Sequence, residues 1–214
     1  MFGEHKIMTT LLVTGGIGSG KTEVCRYLVT KGIPVYDSDS RAKSLYDTVP
    51  GLASRVDSAL GGGFLDREGN IDRRSLAAAV FPDKSKLAVL ESIIHPEVLK
   101  DFISWRDASG AELVVMESAI ASGMALFTGV FDFTVLVDAP LDIRVERASR
   151  RDSSSSSDIR QRISRQVVDA SCADIVIVND GTLEQLHART DEALEKLVYL
   201  QANNEQKKQK KNEN

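Results

Sequence analysis

Apolar positions along the chain come in two rhythms that alternate from one end to the other. Unbroken β-prone runs of four to seven residues occupy 10–14, 112–116, 131–137 and 175–178, the signature of strands buried on both faces. Between them the spacing becomes helical: Val24, Leu28 and Val29 mark a helix over 21–30. Gly32 and Pro34 make a turn into a second strand ending near Tyr36, and Asp37 and Ser38 can cap a helix over 39–47. The pattern then changes over 50–109. After the Gly61-Gly62-Gly63 turn and the polar turn at Glu68-Gly69-Asn70, it predicts helices over 75–80 and 84–94, and a third that Pro96 opens and that runs to 105. Beyond the resumed strands come an arginine-dense helix over 141–151, a serine run over 153–157, a second basic helix over 158–168 and a closing helix over 182–200. The last stretch, 203–214, has no apolar residue and reads as a disordered tail.

Strand–helix alternation of this kind predicts an α/β fold with a parallel sheet core flanked by helices. The expected division is a sheet core formed by 8–49, 110–140 and 169–202, a helical subdomain over 50–109 and an arginine-rich segment over 141–168. At 214 residues the chain is long enough to bury a core without disulfide staples. Its 27 basic and 31 acidic residues leave a net charge of −4, which argues against a broad nucleic-acid or anionic-membrane face. Lys207 to Lys211 is read as a solvated run rather than a nucleic-acid patch. Cys25 and Cys172 form neither a disulfide framework nor a Cys-x-x-Cys site. With no apolar leader core before Met8 and no run approaching roughly 18 apolar residues, the expectation is a cytoplasmic protein with no obligate protein partner.

The chemistry is concentrated after the first strand. Gly15-Gly16-Ile17-Gly18-Ser19-Gly20-Lys21-Thr22 matches G-x-x-x-x-G-K-[ST] at every fixed position. Glycines let successive backbone N–H groups turn inward around phosphate oxygens, and the following helix directs its positive end at the same anion. Lys21 can reach the β- and γ-phosphates, and the Thr22 hydroxyl can ligate Mg²⁺. The loop alone does not name a reaction, since GTPases, motor ATPases and small-molecule kinases share it. No Asn-Lys-x-Asp base-reading motif occurs, and the chain is short for a large ATPase module.

The remaining blocks narrow the field. Thr14 to Thr22, then Gly32-Ile-Pro-Val-Tyr-Asp-Ser-Asp39, Ile71-Asp72-Arg73, Ile94-His95-Pro96, Arg147-x-x-x-Arg151-Asp152, Arg162-x-x-x-Gln166 and the Ala173-to-Thr182 block resemble dephospho-CoA kinases in content and order. The resemblance covers nearly all of 10–200 and implies ATP-dependent phosphorylation of the ribose 3′-hydroxyl of dephospho-CoA, with Mg²⁺. It implies a P-loop fold like that of nucleoside monophosphate kinases, with the sheet core as the nucleotide-binding part, 50–109 as a helical substrate-binding insertion and the arginine-rich 141–168 as a closing lid.

It also suggests roles. Asp37 is expected to accept or orient the attacking hydroxyl's proton, with Asp39 a cap or substrate-orienting group. Lys43 stands where the family usually has arginine. Arg144, Arg147 and Arg151 share one helix face, a row of cations suited to a transferring phosphoryl group; Arg147 is the leading candidate and Arg151 the second. His95 and Arg73 are candidate substrate contacts, and Asn179 and Gly181 are candidates for the adenine edge of ATP, bound also by Ile17, Gly18, Ser19 and Gly20 of the loop. Glu117 occupies the position of the family's aspartate, but the segment to Met124 is shorter and lacks a later glutamate. Glu117 is therefore expected to serve either water-mediated Mg²⁺ contact or substrate positioning. The alternatives are another small-molecule or nucleoside monophosphate kinase, and a nucleotide-binding switch without turnover.

Overall fold

A computed structural model of the chain describes residues 8–166 and 170–212. Strand β1 (Thr9–Thr14) is buried at all six positions and forms the centre of a five-stranded sheet. With β2 (Val35–Asp37), β3 (Leu113–Glu117), β4 (Phe133–Asp138) and β5 (Ile175–Val178), the order is β2-β3-β1-β4-β5. β1 pairs in parallel with β3 and β4, and β4 with β5. Whatever follows β1 therefore leaves the middle of the sheet at its carboxyl edge, where open α/β sheets bind ligands. Helices α1 (Lys21–Thr30) and α8 (Leu183–Asn212) contribute Val24, Leu28, Leu186 and Leu197 to a core shared with Leu11 and Val135.

The expected strands are present within a residue or two, but β5 is not buried on both faces. It is an edge strand, and its alternate residues Val176 and Val178 are 52% and 43% exposed. The closing helix, expected to end at 200, continues to Asn212 and so enters the stretch read as a disordered tail. Glu, Gln and Lys are good helix formers, and a helix nucleated by its packed half propagates through them.

The compact unit spanning Tyr36–Gly110 contains α2 (Ser38–Thr48), α3 (Leu52–Ala59), α4 (Arg73–Val80) and α5 (Lys84–Ser109). This unit begins at Tyr36, before 50, and within it α2 packs against α3 and α5. α3 has no counterpart among the expected elements. Its buried residues Leu52, Ala53 and Val56 give too few repeats to register as a helical period. The helices expected on either side of Pro96 are one helix of 26 residues. An interior proline costs about 3 kcal/mol, since it cannot donate to the carbonyl four residues back. Ile94, Val98 and Phe102 form one buried stripe running past it, each worth about 1.5–3 kcal/mol, so the stripe outweighs the break.

Two shorter helices, α6 (Leu141–Asp152) and α7 (Ser156–Arg165), have their own small core of Val145, Ala148, Ile159 and Ile163. The serine run is only partly a loop: Ser155 caps α7 by accepting from the Asp158 N–H at 3.1 Å, and Ser156 and Ser157 lie in the helix. The expected helix end at 168, and with it the end of the expected lid, falls outside the described residues. No helix among the described residues is long and apolar enough to cross a membrane.

Because α5 runs continuously through Pro96, Pro96→Ala restores an interior hydrogen bond and should raise stability to urea by about 1–2 kcal/mol. A neutral or destabilising result would return Pro96 to the start of a separate helix.

Candidate active site

The segment between β1 and α1 is shaped by close approach. Gly18 and Gly20 have φ of 75° and 101°, in the left-handed region open to glycine. A Cβ on Gly18 would overlap the Arg144 carbonyl, and one on Gly20 the Asn179 amide. Gly20 is also the N-cap of α1 and has no side-chain cap, so the first turn presents its amides to an anion. Lys21 Nζ donates to the carbonyls of Gly15 (2.8 Å) and Gly16 (3.4 Å), curling over the loop. Thr22 Oγ1 donates to Glu117 Oε1 at 2.7 Å. Glu117 ends β3 and is in register with Val13 of β1, so the topology itself delivers its carboxylate to the start of α1.

Residues from α6 and beyond hold the loop from outside. Arg144 Nε donates to the Ile17 carbonyl at 2.9 Å, while the Ile17 N–H donates to Gln166 Oε1 at 2.8 Å. The Ile17 side chain packs against the α6–α7 core. Arg147 donates to the Asn179 carbonyl (3.0 Å) and Oδ1 (3.3 Å), and Asn179 Nδ2 donates to the Ser19 carbonyl at 2.8 Å. Arg151 turns instead to Asp152, at 2.7 and 3.2 Å, and Arg162 reaches the same carboxylate at 2.7 Å. The arginine row expected on one helix face therefore divides: Arg144 and Arg147 reach the loop and its support, and Arg151 does not.

Gly181 lies in the turn entering α8. There Thr182 and Gln185 exchange capping hydrogen bonds of 2.9 and 3.3 Å, and the Gln185 side chain occupies the space a Cβ on Gly181 would need. Gln166 joins the site although its residue type suggests no phosphate chemistry. The only sequence signal is its spacing from Arg162 in the block that carries the resemblance.

Within the helical unit, Asp37 is the N-cap of α2, accepting from the Ser40 N–H at 3.0 Å and the Ser40 hydroxyl at 2.6 Å. Its neighbour Tyr36 is buried, donates to Asp101 at 2.7 Å and meets the Phe102 ring edge-on, which anchors the end of β2. Asp39 is exposed in the first turn of α2 and is not its cap. Arg73 ties α4 to α2, donating to the Lys43 carbonyl (2.9 Å) and to Asp47 (3.0 Å), while Lys43 itself is exposed. His95 is half-buried in the interior of α5, not at a helix start, and burial pushes its imidazole below the usual value against the opposing pull of Glu91.

A glycine loop on the central strand, with lysine, threonine and a strand-end carboxylate around it, places the molecule among the P-loop kinases by fold. A dephospho-CoA kinase structure from Campylobacter jejuni superposes with a TM-score of 0.59 at 18% identity, covering 88% of this chain and 97% of that one. The family model described as dephospho-CoA kinase matches residues 9–185, so the chain belongs to the dephospho-CoA kinase family. A relative named dephospho-CoA kinase from Porphyromonas gingivalis is 45% identical over 166 residues, 78% of this chain and 81% of the relative. The crystal structure of TT1252 from Thermus thermophilus matches with a TM-score of 0.74 at 31% identity, covering 89% of this chain and 98% of that one.

Asp152, held by Arg151 and Arg162, has its carboxyl lowered to about 2. The unfolded value is about 3.9, so this pairing stabilises fully above about pH 4 and is lost as pH falls toward 2. Wild type should be more stable than Asp152→Asn at pH 6 by at most about 1 kcal/mol, since both arginines are exposed to solvent screening. The gap should close between pH 4 and 2; a gap independent of pH would mean that the ion pairs do not cause it.

Proposed function

We propose that this chain transfers the γ-phosphoryl group of ATP to the ribose 3′-hydroxyl of dephospho-CoA. The observation that carries the reading is the Thr22–Glu117 pair at 2.7 Å beside Lys21, at the mouth of a loop whose amides are disposed for phosphate. The hydroxyl and carboxylate are hard oxygen donors and fit Mg²⁺, which favours one or two protein oxygens together with water and phosphate. Mg²⁺ held there would supply neutralisation of the charge on the ATP phosphates. Glu117 is thereby assigned to the metal side of the site rather than to the acceptor.

Lys21 exchanges its loop carbonyls for phosphate oxygens, which are stronger acceptors because they are charged. Asp37 orients the acceptor hydroxyl and takes its proton; the bonds from Ser40 hold the carboxylate in one orientation for this task. Lys43 and Arg73 are the cations assigned to the diphosphate of dephospho-CoA. Phosphoryl transfer proceeds through a loose transition state, so these groups act by positioning and by neutralising charge rather than by covalent chemistry.

ADP release measured with dephospho-CoA, AMP, other nucleoside monophosphates and no acceptor tests the assignment. Dephospho-CoA alone should support turnover, and Lys21→Ala and Asp37→Asn should each lower kcat about 100-fold or more. Glu117→Gln should raise the Mg²⁺ concentration needed for half-maximal rate roughly tenfold. Folded, ATP-binding protein that turns over a different acceptor, or none, would sink the proposal.

A further inference from the structure

Asn179 is 5% exposed, and each of its four polar atoms is engaged. Its backbone N–H donates to the Asp138 carbonyl at 2.6 Å, continuing the β4–β5 ladder by one bond. Its carbonyl and Oδ1 both accept from Arg147, and its Nδ2 donates to the Ser19 carbonyl. The side-chain amide has only one workable orientation, since turning it over would set the NH₂ against a guanidinium and the oxygen against a carbonyl. The resemblance suggests Asn179 for the adenine edge of ATP, but its backbone N–H and carbonyl are engaged with Asp138 and Arg147. Here the Oδ1 is directed at Arg147 and the Nδ2 at the loop.

We infer that Asn179 is a positioning residue for the phosphate loop: it transmits the hold of Arg147 on α6 to the Ser19 carbonyl, and so governs grip on the polyphosphate rather than choice of base. The Ser19 carbonyl shares a trans peptide plane with the Gly20 N–H, and the two point in opposite directions. Fixing the carbonyl toward Asn179 therefore aims the Gly20 N–H away from it. Gly20 is also where a Cβ would collide with the Asn179 amide, so the glycine permits the approach that makes this bond. The inference rests on the kinase reading above and specifies how one part of that site is held.

The test uses two ligands, one without a base. Binding of inorganic tripolyphosphate and of ADP, each with Mg²⁺, is measured by calorimetry on wild type, Asn179→Asp, Arg147→Lys and the double variant, with melting curves to confirm folding. Asn179→Asp keeps acceptors for Arg147 and removes the donor to Ser19. It should weaken both ligands by the same factor, about tenfold, and leave the preference for ATP over GTP in turnover unchanged. The double variant should be no weaker than Asn179→Asp alone, because Arg147 acts through Asn179. Asn179→Ala, which removes the donor without adding charge, carries the same expectation should the aspartate variant not fold.

Unchanged tripolyphosphate binding beside weakened ADP binding, or a collapsed preference for ATP, would make Asn179 a reader of the base and overturn the inference. Losses that add in the double variant would overturn it as well, by showing that Arg147 reaches phosphate on its own. Wild type that binds neither ligand would remove the kinase reading itself, an outcome visible before any variant is compared.

Discussion

A phosphate loop rich in glycine has few side chains with which to hold its own shape, so its conformation must be imposed from outside. In this chain two carbonyls are held in the same way. Those of residues 17 and 19 accept from Arg144 and Asn179 respectively. Each carbonyl shares a trans peptide plane with the next residue's amide, so holding it outward aims the N–H of residue 18 or 20 the opposite way. Preorganised donors cost nothing to reorient when charge arrives, which is where the electrostatic advantage of such a site comes from.

The same constraint explains why α6 and α7 belong to the site although their own core is small. Ile17 is gripped at its carbonyl by Arg144 and at its N–H by Gln166, and its side chain joins Val145, Ala148, Ile159 and Ile163. Loop tip and helix pair therefore share one packed cluster, and displacing either disturbs the other. The exposed ion pairs Arg150–Glu146 and Arg160–Asp142 on these helices contribute little by comparison, because water screens them.

Legibility from sequence followed the range of the interaction. The loop, α1 and the buried strands were readable because backbone conformation and burial constrain residue type directly, as at Gly20 and through Thr9–Thr14. The Asp37 cap was readable for the same local reason. Where a long side chain ends was not readable. Arg144, Arg147 and Arg151 are equivalent in spacing, yet Asp152 is adjacent to Arg151 and captures it, while the other two find backbone acceptors far along the chain. The break predicted at Pro96 failed because a local rule met a buried stripe whose summed burial exceeds it.

Glu117 is placed by the sheet rather than by the segment that follows it. A glutamate is one methylene longer than the aspartate usual at this position, and from the last residue of β3 its oxygen still meets Thr22 Oγ1. In the stretch after it the buried Ser118 hydroxyl accepts from the Ala121 N–H at 3.3 Å, and two short 3-10 turns at Ala121–Gly123 and Ala125–Phe127 carry the chain away. Phe127, buried and stacked on Phe131, closes the segment against its own continuation. The carboxylate stays at the mouth of the loop because β3 is held in register with β1.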